Sequence, residues 1–376
     1  MTALTADVAI VGGGLHGCST ALHLARAGAT AIVVEKNHVG RHASGVNAGG
    51  VRTLARHEAE IPLALESLEI WHRIEELVDD DCGFESHGQI RVAENDADVA
   101  LLHERQGRLR DLGYSHERWI DPPELFERVP ALARHCLGGL IAERDGAALP
   151  YRTTAAFRRK AEALGQRVLE GTRVLDVARE GQGWRIDTSA GPISAGVLVN
   201  CAGAWADRIC AQIGEPVPLE PVALMMMVTL RMPAFLRPVV IGTGRPLSFK
   251  QTAEGTVLIG GGRRARLDRD AETTELDFGE LAASAAMVRE LFPVMHGAVV
   301  NRGWAGIEAR MPDDIPVIGP SSRAPHLFHQ FGFSAHGFEL GPVVGRIVAE
   351  LVTSGRTTAP IAPFSIDRFD AGAARG

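Results

Sequence analysis

Three glycines near the start of the chain carry the most specific chemistry. Gly12, Gly14 and Gly17 form a G-x-G-x-x-G pattern. In that spacing the first glycine allows a tight turn. The second lets the backbone approach a pyrophosphate, and the third lets helix and strand pack closely. The helix that starts there offers free N–H groups and the positive end of its dipole to an anion. Glu35 follows, with Lys36 beside it. An acid at that distance accepts hydrogen bonds from a ribose 2′-OH and repels a 2′-phosphate. The chemistry is recognition of a dinucleotide with a free 2′-OH.

The surrounding elements have the form this requires. Asp7 to Val11 is a short apolar run that reads as a buried strand. Leu15 to Ala27 reads as a helix stopped by Gly28, and Ala29 to Val34 as a second strand. Strand, helix, strand in about 30 residues is a βαβ unit, so a parallel sheet is expected. Further on, Ile61, Leu65, Leu68, Trp71 and Leu77 predict one long amphipathic helix. Helices are also expected over 153–164 and 276–291 and from Phe338 onward. Short strands are expected at 167–169, 173–177, 184–187 and 197–200. Residues 217–262 have β character, and Val222 to Leu230 suits a buried strand.

The expected fold class is α/β, a Rossmann-like dinucleotide domain with a second, β-rich domain. The loops at 197–205 and 331–355 also look like parallel-sheet connections, so the first domain is expected to be discontinuous. It is assigned residues 1–80, 141–216 and 306–376. The substrate domain takes 81–140 and 217–305.

Bulk properties narrow the function classes. The 376 residues include 39 Lys and Arg against 46 Asp and Glu, a net charge of −7. That balance argues against nucleic acid or an anionic membrane as partner. No apolar run approaches the roughly 18 residues of a membrane helix. The five cysteines form no C-x-x-C, and the N-terminus has no basic leader. A reduced cytoplasmic location without a disulfide framework is expected. No His/Cys cluster has ligand spacing, so no metal is expected.

Several later segments resemble the FAD-dependent amino-acid and amine oxidoreductases, the glycine oxidase, sarcosine oxidase and D-amino-acid oxidase type. The segments are Gly40 to Arg52 (GRHASGVNAGGVR), Asn200 to Trp205 (NCAGAW), Trp304 to Glu308 (WAGIE) with Pro312 to Gly319 (PDDIPVIG), and Phe333 to Phe338 (FSAHGF). The WAGIE and PDDIPVIG pair is closest to the catalytic subunits of opine oxidase and cyanide synthase. The resemblance implies FAD, and it implies flavin-contacting loops around Ser44, Asn47, Ala48 and Gly49, around Ala202, Gly203 and Trp205, and around His336, Gly337 and Phe338. Val174 matches the position whose backbone meets the adenine. The final helix is implied to aim its N-terminus at the flavin pyrimidine, with His336 adding a positive charge or serving as a structural histidine.

Departures from the family pattern bear on catalysis. Glycine oxidase has an arginine after Trp-Ala-Gly-aliphatic that grips the substrate carboxylate, whereas this chain has Glu308. Arg310 lies two residues on, and Arg52 lies beyond the small-residue loop. Both are candidates for that grip, with Lys250 as an outsider. Glu308, Glu339 and His336 are candidates to hold or deprotonate the amine. No cysteine follows Cys210, which removes the covalent flavin link of monomeric sarcosine oxidase. Asn47 stands where dimethylglycine dehydrogenase has its linking histidine. FAD is therefore expected to be non-covalent, with His42 the residue to watch.

The expected reaction is oxidation of the C–N bond of an amino acid or N-substituted amino acid. It proceeds by hydride transfer to the flavin N5 and then imine hydrolysis, with the cofactor carrying the redox chemistry. The acceptor is O2 or, if the chain is the catalytic subunit of a hetero-oligomer, a partner redox subunit. Two other readings stay open from the sequence: a flavin-binding module without turnover, and an NAD-dependent hydroxy-acid dehydrogenase. Met225, Met226 and Met227 read either as part of a buried strand or as an adaptable apolar pocket wall.

Overall fold

The computed structural model describes residues 3–372. Two eight-stranded sheets organise them. The first is built on the βαβ unit. Strand Leu4–Val11 lies between Gly191–Asn200 and Ala31–Val34, parallel to both, and Arg167–Leu169 extends the sheet beyond Ala31–Val34. Leu327–Phe331 adds in parallel to the other side of Gly191–Asn200, and Val317–Pro320 closes that edge antiparallel. The hairpin Val174–Glu180 and Gly183–Thr188 is attached to the start of Gly191–Asn200.

Residues Val8–Val11 and the strand Ala31–Val34 are apolar on both faces because both faces are covered there. Helices Leu15–Arg26, Pro150–Ala163, Ile61–Trp71 and Gly337–Ser354 contribute Leu22, Phe157, Trp71, Val343 and Ile347 to one large core. The final helix keeps its i, i+3, i+4 stripe despite Pro342 near its start.

The second sheet has the order Val300–Arg310, Glu220–Thr229, Val257–Gly260, Ser248–Gln251, Val239–Gly242, Gln89–Ala93, Gly138–Ala142, Arg118–Ile120. It is antiparallel except where Val239–Gly242 runs parallel to Gln89–Ala93. One face packs on helix Phe278–Leu291 through Ile90, Val92, Phe249 and Phe292, with the two phenylalanine rings stacked at 4.2 Å. The opposite face looks toward the first sheet and roofs a cavity.

Two expectations about elements change. The single helix expected across Ile61–Leu77 is two helices, Ile61–Trp71 and Ile74–Val78. The side chains at the break are held by separate elements. The Trp71 indole donates to the carbonyl of Glu339, and His72 Nε2 lies 3.1 Å from the carbonyl oxygen of Arg144. Arg73 leaves helical geometry at φ −128°, ψ 28°. The expected domain limits at 141 and 306 also cut strands of the second sheet, which run through Ala142 and from Val300 to Arg310. In both cases a β-rich strand continues until its last cross-strand partner.

Candidate active site

The glycine loop is fixed from both sides. Glu35 ends its strand with its carboxylate turned back on the loop, accepting from Gly13 N–H at 2.8 Å and Asn37 N–H at 2.8 Å. Ser44 Oγ accepts from Leu15 N–H at 2.9 Å, which draws the small-residue loop over the start of the helix. Asn47 braces that loop internally. Its amide donates to the carbonyls of Ala43 and Ser44, and its carbonyl accepts from Gly49 N–H at 2.7 Å. These bonds replace the packing that such small residues cannot supply.

A cavity of about 1040 Å³ begins at this cradle and passes beneath the second sheet. Gly12, Gly14, Glu35, Lys36, Ser44, Asn47, Ala48, Gly49, Val174, Ala202, Gly203, Trp205, His336, Gly337 and Phe338 all line it. Gly17 does not. It packs instead against the turn, where a Cβ would lie 2.0 Å from the carbonyl oxygen of Gly12.

At one end, Lys36 Nζ sits 3.0 Å above the Trp205 ring and 3.0 Å from the Glu272 carboxylate. Glu272 also accepts from Asn37 and Arg173 and lies 3.2 Å from His42 Nε2. Glu272 belongs to the turn of a small hairpin, Arg266–Asp268 and Thr273–Glu275. Sequence reasoning missed that this hairpin closes over Asn37 and His42 at this end of the cavity, because these partners lie about 230 residues away in the chain.

At the other end the catalytic candidates separate into two groups. Arg52, Glu308, His336 and Lys250 face the cavity, and Arg310 and Glu339 do not. Arg310 lies at the end of its strand, where Nε pairs with Asp314 at 2.7 Å. Glu339 is fully buried, and its carboxylate pairs with Arg56 Nη2 at 3.1 Å. Its position in the first turn of the last helix rotates it into the core, so it holds the scaffold and not the amine. Arg56 also donates to the carbonyls of Arg52 and His336 and thereby ties the two flanks of the site together.

The electrostatics of the cavity-facing groups differ. Burial, with the nearby Arg56 charge, pushes Arg52 down to about 10, which leaves it protonated at neutral pH. Its Nη1 donates to the carbonyl of Leu54 at 2.7 Å. Burial pushes His336 below its ordinary value. Its Nδ1 lies 3.2 Å from the Glu60 carboxylate, which pulls the other way, and the Arg52 and Arg56 charges stand beside it. Burial likewise lowers Lys250 to about 8. The Glu308 carboxyl has no hydrogen-bond or ion-pair partner among the described residues, and burial raises it to about 7.

Glu308 yields a pH prediction. The folded protein holds its proton more tightly than the unfolded chain, whose value is near 4.5. That contribution to stability is complete below pH ~4.5 and is lost as pH rises through about 7. Glu308→Gln should therefore leave the melting temperature at pH 4.5 nearly unchanged. At pH 8 it should raise stability by roughly 1–3 kcal/mol. Thermal melts at the two pH values check this, and an equal shift at both would refute the assignment.

Reasoning from sequence also missed Arg91 and His16. Arg91 lines the cavity from strand Gln89–Ala93, where Ile90 and Val92 point to the opposite, buried face. The QIRVA alternation was the available signal. His16 stacks on Phe333 at 3.8 Å, and both its ring nitrogens are buried without partners among the described residues. Met226 faces the cavity while Met225 and Met227 are buried, so the methionine run is both strand and pocket wall.

A glycine loop at the start of a helix, opening beneath a β-sheet roof lined with acids and bases, has the form expected of a dinucleotide-dependent oxidoreductase. The chain belongs to the DAO family of FAD-dependent oxidoreductases, whose model matches residues 7–351. It is 28% identical over 371 residues to a glycine oxidase of Geobacillus kaustophilus, covering 96% of this chain and 97% of that one. It is 27% identical to hydrogen cyanide synthase subunit HcnC of Pseudomonas aeruginosa, covering 97% and 96%. Among solved structures, L-proline dehydrogenase from P. horikoshii superposes with a TM-score of 0.91 at 27% identity, over 99% of both chains.

FAD fits the residues present. The glycine cradle leaves no room for side chains, and the cavity is continuous from Glu35 to the Asn47–Gly49 loop. No helix among the described residues is long and apolar enough to cross a membrane.

Proposed function

We propose that this enzyme oxidises the C–N bond of an amino acid or an N-substituted amino acid such as sarcosine or an N-carboxyalkyl amine. The observation that carries this is that the Arg52 guanidinium and the partnerless Glu308 carboxyl, poised near neutrality, line the same cavity. FAD, when bound, supplies the two-electron acceptor. Arg52 is placed to hold the substrate carboxylate, since a guanidinium binds that group through two parallel N–H donors. The amine must be uncharged when its Cα–H leaves, and Glu308 in its ionised form can take the ammonium proton at one carboxylate oxygen. His336 can accept a hydrogen bond from the same nitrogen at a ring nitrogen that carries no proton. The cofactor is held without a covalent bond on this reading. Cys201 is the cysteine lining the cavity, and burial keeps its thiol protonated and unreactive. His42 lies at the nucleotide end against Trp205. A cytoplasmic location accords with the five free, buried cysteines.

Anaerobic addition of glycine, sarcosine, proline, D-amino acids and N-carboxymethyl amines should bleach the flavin with at least one of them. Arg52→Met should raise that substrate's KM by about 10- to 100-fold while the protein keeps its flavin. Bleaching by none of the panel would overturn the reading. An unchanged KM would remove Arg52 from the carboxylate grip.

A second reading concerns the electron acceptor. Relatives include one of the subunits of an opine oxidase of Rhizobium meliloti at 25% identity and the beta chain of a sarcosine oxidase of Arthrobacter at 28%. Those names favour a catalytic subunit that passes electrons to a partner. Rapid peroxide release by the isolated chain with its substrate would instead make O2 the acceptor.

A further inference from the structure

The roof of the cavity carries two cations that no carboxylate pairs directly among the described residues. Arg91 has neither a hydrogen bond nor an ion pair from its side chain among the described residues, and its Nε is buried without a partner. Its neighbours are otherwise engaged. The Glu117 carboxylate is taken by Arg105 through two short contacts, and Arg245 is paired with Glu94 and Glu290. Lys250 likewise has no carboxylate partner among the described residues. Its ammonium faces the cavity close to Gly49, where a Cβ would meet Nζ at 3.0 Å.

The sheet register places these two cations together. Ile241 pairs with Arg91 on one side and Ser248 on the other. Lys250 is two residues from Ser248 and so projects from the same face. Strand spacing puts the Cα atoms of Arg91 and Lys250 about 12 Å apart, within the combined reach of two long side chains. Gln89 shares the face, but its amide is committed to the carbonyls of Val51 and Gly146. A partly buried cation without a counter-charge is costly unless that counter-charge arrives with a ligand. Arg52 lies below the roof, beyond the flavin loop, and accounts for one carboxylate only.

We propose that Arg91 and Lys250 form a second anion subsite, and that the amine oxidised here carries a second carboxylate on its nitrogen substituent or side chain. This rests on the proposed amine oxidation and names its substrate class. A diacid amine would place its reacting carbon between Arg52 and the roof. A monoacid would leave Arg91 unanswered.

The test uses the FAD-loaded enzyme and ligands that cannot be oxidised. Glutarate and butyrate are titrated against the visible flavin spectrum. Glutarate should bind at least about tenfold more tightly than butyrate. Arg91→Met should abolish that preference and leave the butyrate Kd within about twofold, and Lys250→Met should reduce it. Arg91→Lys, which keeps the charge, should retain part of it and covers the case in which Arg91→Met does not fold. Equal affinities in the unaltered enzyme, or a preference that survives in both methionine variants, would overturn the subsite. Because binding is read without turnover, failure of every amine to bleach the flavin would reject the proposed reaction and leave the subsite result standing.

Discussion

Gly12→Ala is expected to yield a folded protein that purifies colourless. Gly12 holds φ +112°, a conformation that L side chains rarely adopt, and its missing Cβ would lie 2.2 Å from the carbonyl oxygen of Cys201 and 2.7 Å from its carbonyl carbon. No flexible side chain can swing away, because both atoms are backbone. Relief requires moving either the glycine loop or the turn that begins at Cys201. The loop carries the N–H groups proposed to bind the pyrophosphate, and the turn carries Ala202 and Gly203 into the same cavity. Backbone strain of this kind costs on the order of 1–3 kcal/mol before the lost contacts are counted. FAD affinity should fall by about 100-fold or more. The flavin-to-protein ratio after gel filtration and a titration with added FAD measure it. Gly181→Ala is the control, since Gly181 also has positive φ at +59° but meets nothing within 4 Å. It should cost about 1 kcal/mol in stability and no flavin. Normal flavin content in Gly12→Ala would show that the cradle tolerates displacement and is not the determinant of binding.

The same geometry explains why this part of the protein could be read from its sequence. Gly12, Gly17 and Glu35 act within a single strand–helix–strand unit, so their spacing encodes their positions directly. The loops at Ser44, Gly203 and His336 were legible only through their likeness to a family, since their meeting depends on parallel pairing between strands far apart in the chain. The catalytic end was less legible. Glu308 and Arg310 stand two residues apart on one strand, but that strand reaches past the cavity, and Arg310 finds Asp314 beyond it. Glu339 follows Phe338 directly, yet one helical step turns it from the cavity wall to the core. Arg91 could not be assigned to a cavity from QIRVA alone. Its facing is fixed by pairing with Val239–Gly242, about 150 residues later. Alternation predicts that two faces differ, and only the tertiary partner decides which face meets ligand.

Arg56→Met should cost about 3–5 kcal/mol of stability, the largest loss expected from any single polar substitution in this site. Arg56 and Glu339 are exposed by 1% and 0% of their side chains, and the guanidinium uses Nε, Nη1 and Nη2 on three separate acceptors. Removing it strands a carboxyl that burial already drives well above its ordinary value, with Oε1 lacking any partner among the described residues. It also frees the carbonyls of Arg52 and His336, which flank the proposed substrate position. Arg56→Lys keeps the charge but cannot make the fork, and should fall between the two. The cause can be separated from loss of packing by a second change. If the penalty comes from the unpaired acid, Arg56→Met with Glu339→Met should recover much of it, because a buried ion pair replaced whole by apolar groups is often neutral in stability. Urea unfolding of the FAD-loaded protein gives all four values. A double variant no more stable than Arg56→Met would locate the loss in the two released carbonyls instead, and the loop carrying Arg52 would then be held by hydrogen bonding to Arg56 more than by its charge pair with Glu339.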